Sequence, residues 1–327
     1  AQLTEAGFTH AGAEWENDSE YFVPLYEAKM IHQFDHRWAG FDAAGEASAD
    51  ATSAAKSDPA WEPRPRYWVP DSQVTTWLNA IGWRRGWLMG WRDIANVVNE
   101  RTMIACIFPR AAVGHSEPLF FLDQEAALWS AFCANLNSMT LDFVARQKIG
   151  GTHVTYGYLK QFPILPPSFY VASRLSFVMS RVRELTYTSH KMAPFARDLG
   201  YEGPPFAWDE DRRTHLRADL DAFYARAYGL NRDELRYILD PADVKGDDYP
   251  SETFRVLKER EVRQFGEYRT RRLVLEAWDR MEADGTFVNL GLGAGQIAST
   301  APTVQRPALV TLPDGAWIRA AQQPNDA

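Results

Sequence analysis

The sequence predicts an α+β fold in which a mixed α/β domain is followed by a helical C-terminal domain. Residues 87–95 and 103–109 are rich in β-branched and aromatic side chains, and such runs on either side of the polar stretch 99–101 predict paired strands. Beyond residue 168, apolar residues recur at helical spacing. With 327 residues, of which 46% are hydrophobic, the chain is long enough for two domains with real cores.

The first two segments of the chain differ in composition. Residues 1–20 are polar and acidic, which predicts a linker or the end of a preceding domain. Residues 21–167 form the predicted α/β domain, and the low-complexity stretch 43–63 within it is expected to be an exposed insertion. Residues 125–148 predict one long helix that ends at the glycine pair 150–151, because glycine favours a helix C-terminus.

The third segment, residues 168–284, is predicted to be the helical domain. The acidic residues 209–211 suit a helix N-terminus, where the partial positive charge of the helix dipole lies. The predicted helices of this domain cover residues 174–191, 209–228, 232–239 and 251–282, the last with a break near Gly266. Residues 285–327 are rich in Gly, Ala, Pro and Gln, which predicts a tail.

Composition and charge limit the functional classes. The two cysteines, Cys106 and Cys133, lack metal-ligand spacing, so a reduced cytoplasmic chain is expected. There is no signal peptide and no apolar run of about 18 residues, so no membrane partner is expected. The formal net charge of −8 argues against a simple nucleic-acid binder. Residues 64–160, however, contain ten basic and seven acidic residues, which is compatible with a DNA-facing middle in an acidic chain.

The strongest functional pattern lies in residues 135–167. A helix-spaced apolar set leads into two cations, a glycine pair, an aromatic run and a proline-rich exit. A duplex phosphate backbone needs such a surface, because arginine and lysine neutralise charge while glycine lets the main chain approach closely. The candidate DNA-contacting residues here are Arg146, Gln147, Lys148, Gly150, Gly151, Thr152, His153, Tyr156 and Lys160. The alternative is a solvated helix end whose cations cap its last carbonyls.

The same passage, LNS…ARQKIGG…LKQFPILPP, resembles the end of a target-recognition domain in bacterial adenine-N6 DNA methyltransferases. These enzymes belong to restriction–modification and phage-defence systems, including the type IIG-like proteins. The resemblance covers residues 20–280. Residues 22–41 are similar to the phrase that opens the specificity region of this family, residues 90–115 to its core, and residues 197–281 to its helical C-terminus.

The resemblance implies a target-recognition domain that works with a methyltransferase catalytic domain or subunit on double-stranded DNA. An adenine methyltransferase needs an Asn/Asp-Pro-Pro-aromatic loop, which holds the amino group of the flipped base. The nearest strings, at residues 203–206 and 165–168, lack the polar residue, and the glycines of 291–295 do not open a periodic helix. No cofactor is therefore expected in this chain, and S-adenosylmethionine is expected on a catalytic domain outside it.

Other cations and a histidine add further candidates for DNA contact. Arg84 and Arg85 lie between tryptophans, and the alternative is that the tryptophans belong to the core while the arginines are solvated. Arg101 lies in the stretch 99–102, for which the alternative is a hairpin turn with a local salt bridge. The family phrase near residue 30 adds the candidates Lys29, His32, Gln33, His36 and Arg37.

Residues 27–36 also suggest two chemical alternatives. The pair Glu27 and Lys29 has the spacing of a Mg²⁺-dependent nuclease site, but an acidic partner is not evident. His32 and His36 lie one helical turn apart, yet a metal site needs a clear third ligand. The predicted function is therefore sequence-specific DNA recognition, as the non-catalytic part of a methyltransferase. The alternative is a helical assembly module that docks a partner subunit of a defence complex without reading DNA.

Overall fold

A computed structural model describes residues 2–11, 13–95, 99–250 and 253–294. Its N-terminal half is built on β3, to which β2 and β6 pair antiparallel and β9 pairs parallel, while β1 pairs with β2. Two further antiparallel pairs are β4 with β5 and β7 with β8. The strands are β1 (Thr9–Ala11), β2 (Glu14–Glu16), β3 (Tyr21–Tyr26), β4 (Ala39–Phe41), β5 (Ser48–Asp50), β6 (Trp68–Pro70), β7 (Trp87–Trp91), β8 (Ala105–Pro109) and β9 (Ala112–Val113).

The helices complete an α+β fold with a helical C-terminal region, which confirms the predicted fold class. Short 3-10 helices occur at Ala28–Met30, Pro167–Phe169 and His190–Met192. The α-helices are α1 (Gln2–Glu5), α2 (Ser53–Lys56), α3 (Asp71–Ala80), α4 (Ala126–Asn137), α5 (Met139–Lys148), α6 (Tyr156–Leu159), α7 (Ala172–Thr186), α8 (Ala193–Asp198), α9 (Glu210–Ala227), α10 (Arg232–Leu239), α11 (Pro241–Lys245), α12 (Arg255–Phe265), α13 (Arg269–Ala283) and α14 (Thr286–Asn289). No helix in these described ranges is long and apolar enough to cross a membrane.

The β7–β8 pair is the hairpin that the sequence predicts, with Trp87 opposite Pro109 and Trp91 opposite Ala105. Every residue of both strands is buried. Gly90 in β7 faces the segment that follows β9, where an added Cβ would lie 2.6 Å from Glu117 Oε1 and 2.7 Å from the Pro118 carbonyl oxygen. Only glycine lets the two backbones approach this closely, so β7 carries no side chain at that point.

The predicted single helix over residues 125–148 is wrong, because Ser138 divides it into α4 and α5. Ser138 has an extended backbone with φ −69° and ψ 146°, and its Oγ accepts a hydrogen bond from the N–H of Leu141 (3.3 Å). Such side-chain capping is typical of a helix start. Just before the break, the side-chain amide of Asn137 both accepts from the N–H of Ala105 and donates to its carbonyl (2.9 Å each). The break therefore coincides with attachment to β8.

Local signals define the starts of α9 and α10 as predicted, whereas the helix predicted over residues 174–191 is wrong at its end, because α7 stops at Thr186 and a separate 3-10 helix follows at His190–Met192. Asp209 accepts from the N–H of Arg212 at the start of α9, and Asn231 forms a capping box with Glu234 at the start of α10. The predicted break near Gly266 is confirmed: this residue ends α12 in the left-handed conformation, with φ +77°, which a side chain disfavours.

One continuous apolar core joins the helical region to the N-terminal half. Helix α4 packs on α7 and on β8, and α9 packs on α13. The ring of Trp87 in β7 lies 5.0 Å from that of Phe195 in α8, and Tyr224 in α9 donates to the carbonyl of Ala131 in α4 (2.8 Å). Burial of such aromatic groups is the main favourable term in folding, so these contacts hold the two halves together.

Three segments with low-complexity or polar sequences also contribute to the fold. Strands β1 and β2, in the predicted N-terminal linker, extend the sheet. The stretch 43–55 is largely exposed, but Lys56 is buried, with Nζ 2.6 Å from Asp35 Oδ2. In the predicted tail, Phe287 packs on Trp278 with ring centroids 5.1 Å apart. Residues 295–327 of that tail lie outside the described residues.

Candidate nucleic-acid interface

Residues 147–155, which comprise the last two residues of α5 and the segment that joins α5 to α6, are here called the Gly-Gly loop. Gln147, Lys148, Gly150, Gly151, Thr152 and His153 are all exposed. Its far end is fixed to residues 93–95, because the N–H of Ala95 donates to the Thr152 carbonyl (2.9 Å) and the N–H of Val154 to the Asp93 carbonyl (2.7 Å). Burial of Val154 adds an apolar anchor. The loop therefore presents polar groups from a fixed base.

Within the described structure, neither backbone conformation nor packing requires glycine at the two positions of the pair. Neither Gly150 nor Gly151 has a positive φ, and a Cβ added to either would meet no atom within 4 Å. Their backbone N–H groups donate to no acceptor in the described part of the chain. The loop thus offers two exposed N–H donors and an unobstructed main chain beside the Lys148 side chain. An anionic backbone can be bound by such an arrangement.

His153 and Lys160 are the other exposed candidates in this region. His153 Nδ1 lies 2.8 Å from Asp93 Oδ2, and 54% of its side chain is exposed. This contact orients the ring and leaves Nε2 for an external partner. Lys160 follows α6 directly and is exposed. Both side chains, with Lys148, are available to a ligand.

Arg146 is a correction to the expected DNA contacts, because its side chain is buried. Its guanidinium donates to the carbonyls of Asn99 (2.6 Å), Glu100 (2.7 Å) and Thr253, and lies 4.8 Å from the centroid of the Phe254 ring. The end of α5 points into the junction between these segments, so the cation satisfies buried carbonyls. Arg146 therefore has a structural position and does not face a phosphate.

Arg101 and Tyr156 are also used within the fold. Arg101 Nε donates to Asp142 Oδ2 (2.7 Å), and the fully buried Asp142 also accepts from the N–H of Met103 (3.0 Å). The salt bridge of Arg101 is therefore with α5, and not the local one that was the alternative to DNA contact. Tyr156 donates to the carbonyl of Leu119 (3.1 Å), and burial raises the pKa of its hydroxyl. Neither residue is placed to reach a base.

At Arg84 and Arg85 the structure favours the core alternative. Trp83 and Trp87 are buried and pack edge to face, with ring centroids 5.4 Å apart. Arg85 donates to the Gln124 carbonyl (2.9 Å) and to Asp198 (3.2 Å), so its guanidinium is engaged. Arg84 is exposed and donates to Asn79 Oδ1 (2.8 Å). Of the two arginines, only Arg84 is therefore placed to contact a phosphate.

The candidates of the family phrase near residue 30 have separate environments. Arg37 is fully buried and donates to the backbone carbonyls of Lys56, Asp58, Trp61 and Thr188, which excludes it from a DNA surface. Gln33 is also buried and donates to the Met103 carbonyl (2.8 Å).

Lys29 is partly exposed, with Nζ 4.3 Å from the centroid of the Phe41 ring. His36 is buried, with Nε2 3.1 Å from Ser189 Oγ. Within the described ranges, no group of three or more His, Cys, Asp or Glu residues could hold a metal ion.

His32 lies in a cleft that the sequence did not indicate. The cleft measures about 430 Å³ and lies between α9, α12, the start of α13 and the N-terminal half. We call it the arginine cleft, because four arginines line it: Arg101, Arg217, Arg260 and Arg269. Arg101 and Arg217 are distant in the chain from each other and from the pair Arg260 and Arg269, and the four share no motif. Only the arginine-rich sequence of residues 255–272 could have drawn attention to this region.

His32 lies near several of the cleft arginines and packs on an aromatic ring. Burial lowers the pKa of His32 well below 6.5, and the charges of Arg92, Arg217, Arg101 and Arg260 lower it further. The ring is therefore neutral at pH 7. It packs against Trp38, with ring centroids 4.4 Å apart. The cleft thus combines arginine cations with aromatic surface.

Comparisons with known proteins give no relative for this chain. No protein-family model matches it, and neither a curated protein nor a solved structure does. The resemblance of residues 20–280 to methyltransferase specificity regions therefore stays an expectation from the sequence. Any function has to be argued from the Gly-Gly loop and the arginine cleft.

Proposed function

We propose that this chain recognises double-stranded DNA in a sequence-specific manner, as the non-catalytic specificity part of an adenine-N6 DNA methyltransferase or restriction–modification protein. The observation that carries the proposal is the Gly-Gly loop. It holds two glycines that neither φ nor packing requires, and their N–H groups have no acceptor within the described residues. The sequence resemblance around the same loop gives independent support.

In this proposal the loop contacts the duplex with two kinds of group. Lys148, Lys160 and the N–H groups of the glycine pair bind phosphates, which fixes position and carries no sequence information. Thr152 and His153 lie just beyond the glycines and are exposed. With Nδ1 held by Asp93, the His153 ring presents Nε2 to a base edge in the major groove.

The methyl transfer itself is assigned to a partner. A catalytic domain or subunit would bind S-adenosylmethionine and take the target adenine out of the base stack, because the methylated amino group is otherwise inaccessible inside the duplex. The residues of this chain would hold the duplex in register during that step. This division of labour follows from the family resemblance and from the lack of an Asn/Asp-Pro-Pro-aromatic sequence here.

A second candidate function, docking of a partner subunit, is favoured by one observation. Helix α12 carries exposed apolar side chains, with Val262 and Phe265 each 44% exposed, and Tyr249 is 42% exposed. Val262 and Tyr249 line a shallow cavity of about 590 Å³. Apolar patches of this kind are typical of protein interfaces.

Salt dependence separates the two functions. Fluorescence anisotropy of a labelled duplex, titrated at several salt concentrations, measures the slope of log K against log salt. Each phosphate contact contributes about −0.9 to this slope, so contacts from Lys148 and Lys160 predict a slope of about −2 or steeper. Binding that is absent at low salt, or insensitive to salt, would exclude DNA recognition through this loop and leave the docking function.

A further inference from the structure

The arginine cleft has the size and enclosure of a small-molecule site. Its volume of about 430 Å³ lies within the range of roughly 300–1,000 Å³ that ligand pockets usually have. The lining includes Thr214, Arg217 and Asp221 of α9 together with His32 and Trp38 of the N-terminal half. The cleft is therefore a concave surface between two parts of the fold.

The four arginines of the cleft differ in their partners. Arg101 pairs with Asp142 (2.7 Å), Arg260 with Glu100 (2.7 Å), and Arg269 with Asp211. Arg217 forms no ion pair with a described residue, and its hydrogen bond is a long one to Thr214 Oγ1 (3.4 Å). Burial lowers the pKa of Arg217, and the charges of Glu210 and Asp221 raise it, although neither carboxylate forms an ion pair with it. Arg217 thus has unused donors beside the cleft.

The acidic residues of the cleft are occupied by donors of the protein. Asp221 accepts from the N–H of Met139 (2.7 Å), and burial raises its pKa to about 6. Glu261 accepts from the N–H and hydroxyl of Thr270 (2.7 and 2.6 Å). Glu210 accepts from Trp208 Nε1 (2.8 Å) and Ser53 Oγ (3.0 Å). Of the four lining arginines, Arg217 is therefore the one that forms no ion pair with a described residue.

Aromatic groups complete the lining. His32 packs against Trp38, and Phe265 at the end of α12 is 44% exposed. A planar heterocycle can stack on such rings, while a guanidinium binds phosphate in a fork of two N–H donors. A sugar phosphate or inorganic anion would use the arginine alone. The combination of a guanidinium with aromatic rings therefore fits a nucleotide better than it fits a sugar phosphate or an inorganic anion.

We propose that the arginine cleft binds a phosphate-bearing ligand of nucleotide size, with Arg217 on the phosphate and the base against His32 and Trp38. The ligand has two possible sources, a free nucleotide or one nucleotide of a DNA strand. The proposal does not rest on the Gly-Gly loop, because the groups that carry it belong to a separate set of residues. It therefore stands or fails independently of the Gly-Gly loop.

Isothermal titration of the full chain with AMP, adenosine and inorganic phosphate tests the proposal. AMP should bind, adenosine and phosphate should bind at least about tenfold more weakly, and Arg217→Ala should weaken AMP by at least about tenfold. Arg217→Lys should retain part of the affinity. Arg212→Ala is the matched control, because Arg212 lies on the same helix but pairs with Glu184 outside the cleft. Equal AMP affinity in wild type and Arg217→Ala would overturn the proposal.

A second ligand distinguishes the two sources. If AMP does not bind but a single-stranded oligonucleotide does, with the same loss in Arg217→Ala, the nucleotide belongs to a DNA strand. If neither binds the wild type, the proposal is wrong. If both Arg217 variants fail to fold, hydrogen exchange of the wild type tests the position of the ligand. AMP should then protect the amides of residues 210–221 and 32–38 from exchange. Protection only in other residues would overturn the assignment. Replacement of Lys148 and Lys160 should leave AMP binding unchanged.

Discussion

His153 and Asp93 are linked twice, once through side chains and once through the backbone of the next residue. Nδ1 of His153 lies 2.8 Å from Asp93 Oδ2, and the N–H of Val154 donates to the Asp93 carbonyl (2.7 Å). The residue that fixes the end of the Gly-Gly loop therefore also orients the histidine ring. Position and orientation are set together, which a base-reading side chain requires.

The first prediction concerns sequence preference. His153→Ala should reduce the ratio of affinities for a preferred and an unrelated duplex, because a lost base-edge contact costs about 1–3 kcal/mol of discrimination. Affinity for the unrelated duplex should change little. Preferred sequences would be selected from a random duplex library and measured by anisotropy. Asp93→Ala should give a smaller loss in the same direction. A uniform drop across all sequences would contradict a base-reading role.

The second prediction concerns the exposed lysines of the loop region. Replacement of Lys148 and Lys160 by Ala should reduce the salt slope of duplex binding by about 2, because each removed phosphate contact accounts for about 0.9. The measurement is a salt titration of the double variant beside wild type. Arg212→Ala removes an exposed cation from α9 and serves as the control, with an unchanged slope expected. An unchanged slope in the double variant would place the DNA surface elsewhere.

The third prediction concerns the glycine pair. Because neither glycine has a positive φ or a crowded Cβ position, replacing both with Ala should leave the free energy of unfolding unchanged or raise it by about 0.5–1 kcal/mol. Duplex affinity should nevertheless fall, since the added methyl groups obstruct close approach to a phosphate backbone. Urea denaturation and anisotropy measure the two quantities. Unchanged affinity in the stable double variant would show that the loop backbone does not touch DNA.

The fourth prediction separates two cations at the end of α5. Arg146→Ala should lower the free energy of unfolding by about 2–4 kcal/mol, because three carbonyls lose a charged donor and Phe254 loses its cover. Lys148→Ala should change it by less than about 0.5 kcal/mol, since Lys148 is exposed. Urea denaturation of both variants provides the comparison. Wild-type stability of Arg146→Ala would refute the structural role.

The fifth prediction concerns Glu117, whose carboxyl is fully buried with no hydrogen-bond partner among the described residues. Burial raises its pKa well above 4.5, although Arg92 lowers it, so the folded state holds a proton that the unfolded state releases. The stabilising effect of this proton is complete below pH 4.5 and is lost as the pH rises toward the folded-state pKa. Above pH 4.5, wild type should therefore lose about 1.4 kcal/mol per pH unit relative to Glu117→Gln.

Denaturation of wild type and Glu117→Gln between pH 5 and 8 tests this difference. The glutamine has the same shape as the neutral acid and does not titrate. Glu20→Gln is a matched control, because it makes the same substitution at an exposed glutamate. Parallel pH profiles of wild type and Glu117→Gln would show that Glu117 is ionised in the folded protein.

The sequence predicts those parts of the fold that local signals determine. The strand pair β7–β8 has aromatic and β-branched runs, α9 and α10 have capping residues, and the break at Gly266 has its glycine. Each of these features depends on a few neighbouring residues. The start of α5, which divides the predicted 125–148 helix, also has a local cap, Ser138. A serine within an apolar periodic stretch resembles an ordinary helical residue, so the sequence does not predict this break.

The burial of Arg146 and the existence of the cleft could not be predicted from the sequence. The environment of Arg146 depends on Asn99 and Thr253, which are distant in the chain. Arg101, Arg217 and Arg260 likewise come together only in the folded chain, where they line one cleft. The exposed groups of the Gly-Gly loop were accessible to sequence reasoning, because glycine and lysine at a helix end need no tertiary partner. A surface loop is thus easier to predict than a site assembled from several helices.

The packing of Trp87 against Phe195 has a consequence for proteolysis. A cut in residues 163–171 would divide the chain into two pieces, and each piece alone would expose aromatic faces that the other normally covers. Neither piece would be expected to persist folded by itself, since a half core cannot offset the entropy of ordering its chain. After cleavage the two pieces would remain associated. Once separated, they would regain the native state only by binding each other again. A nicked molecule would therefore keep its shape until denaturant separates the halves.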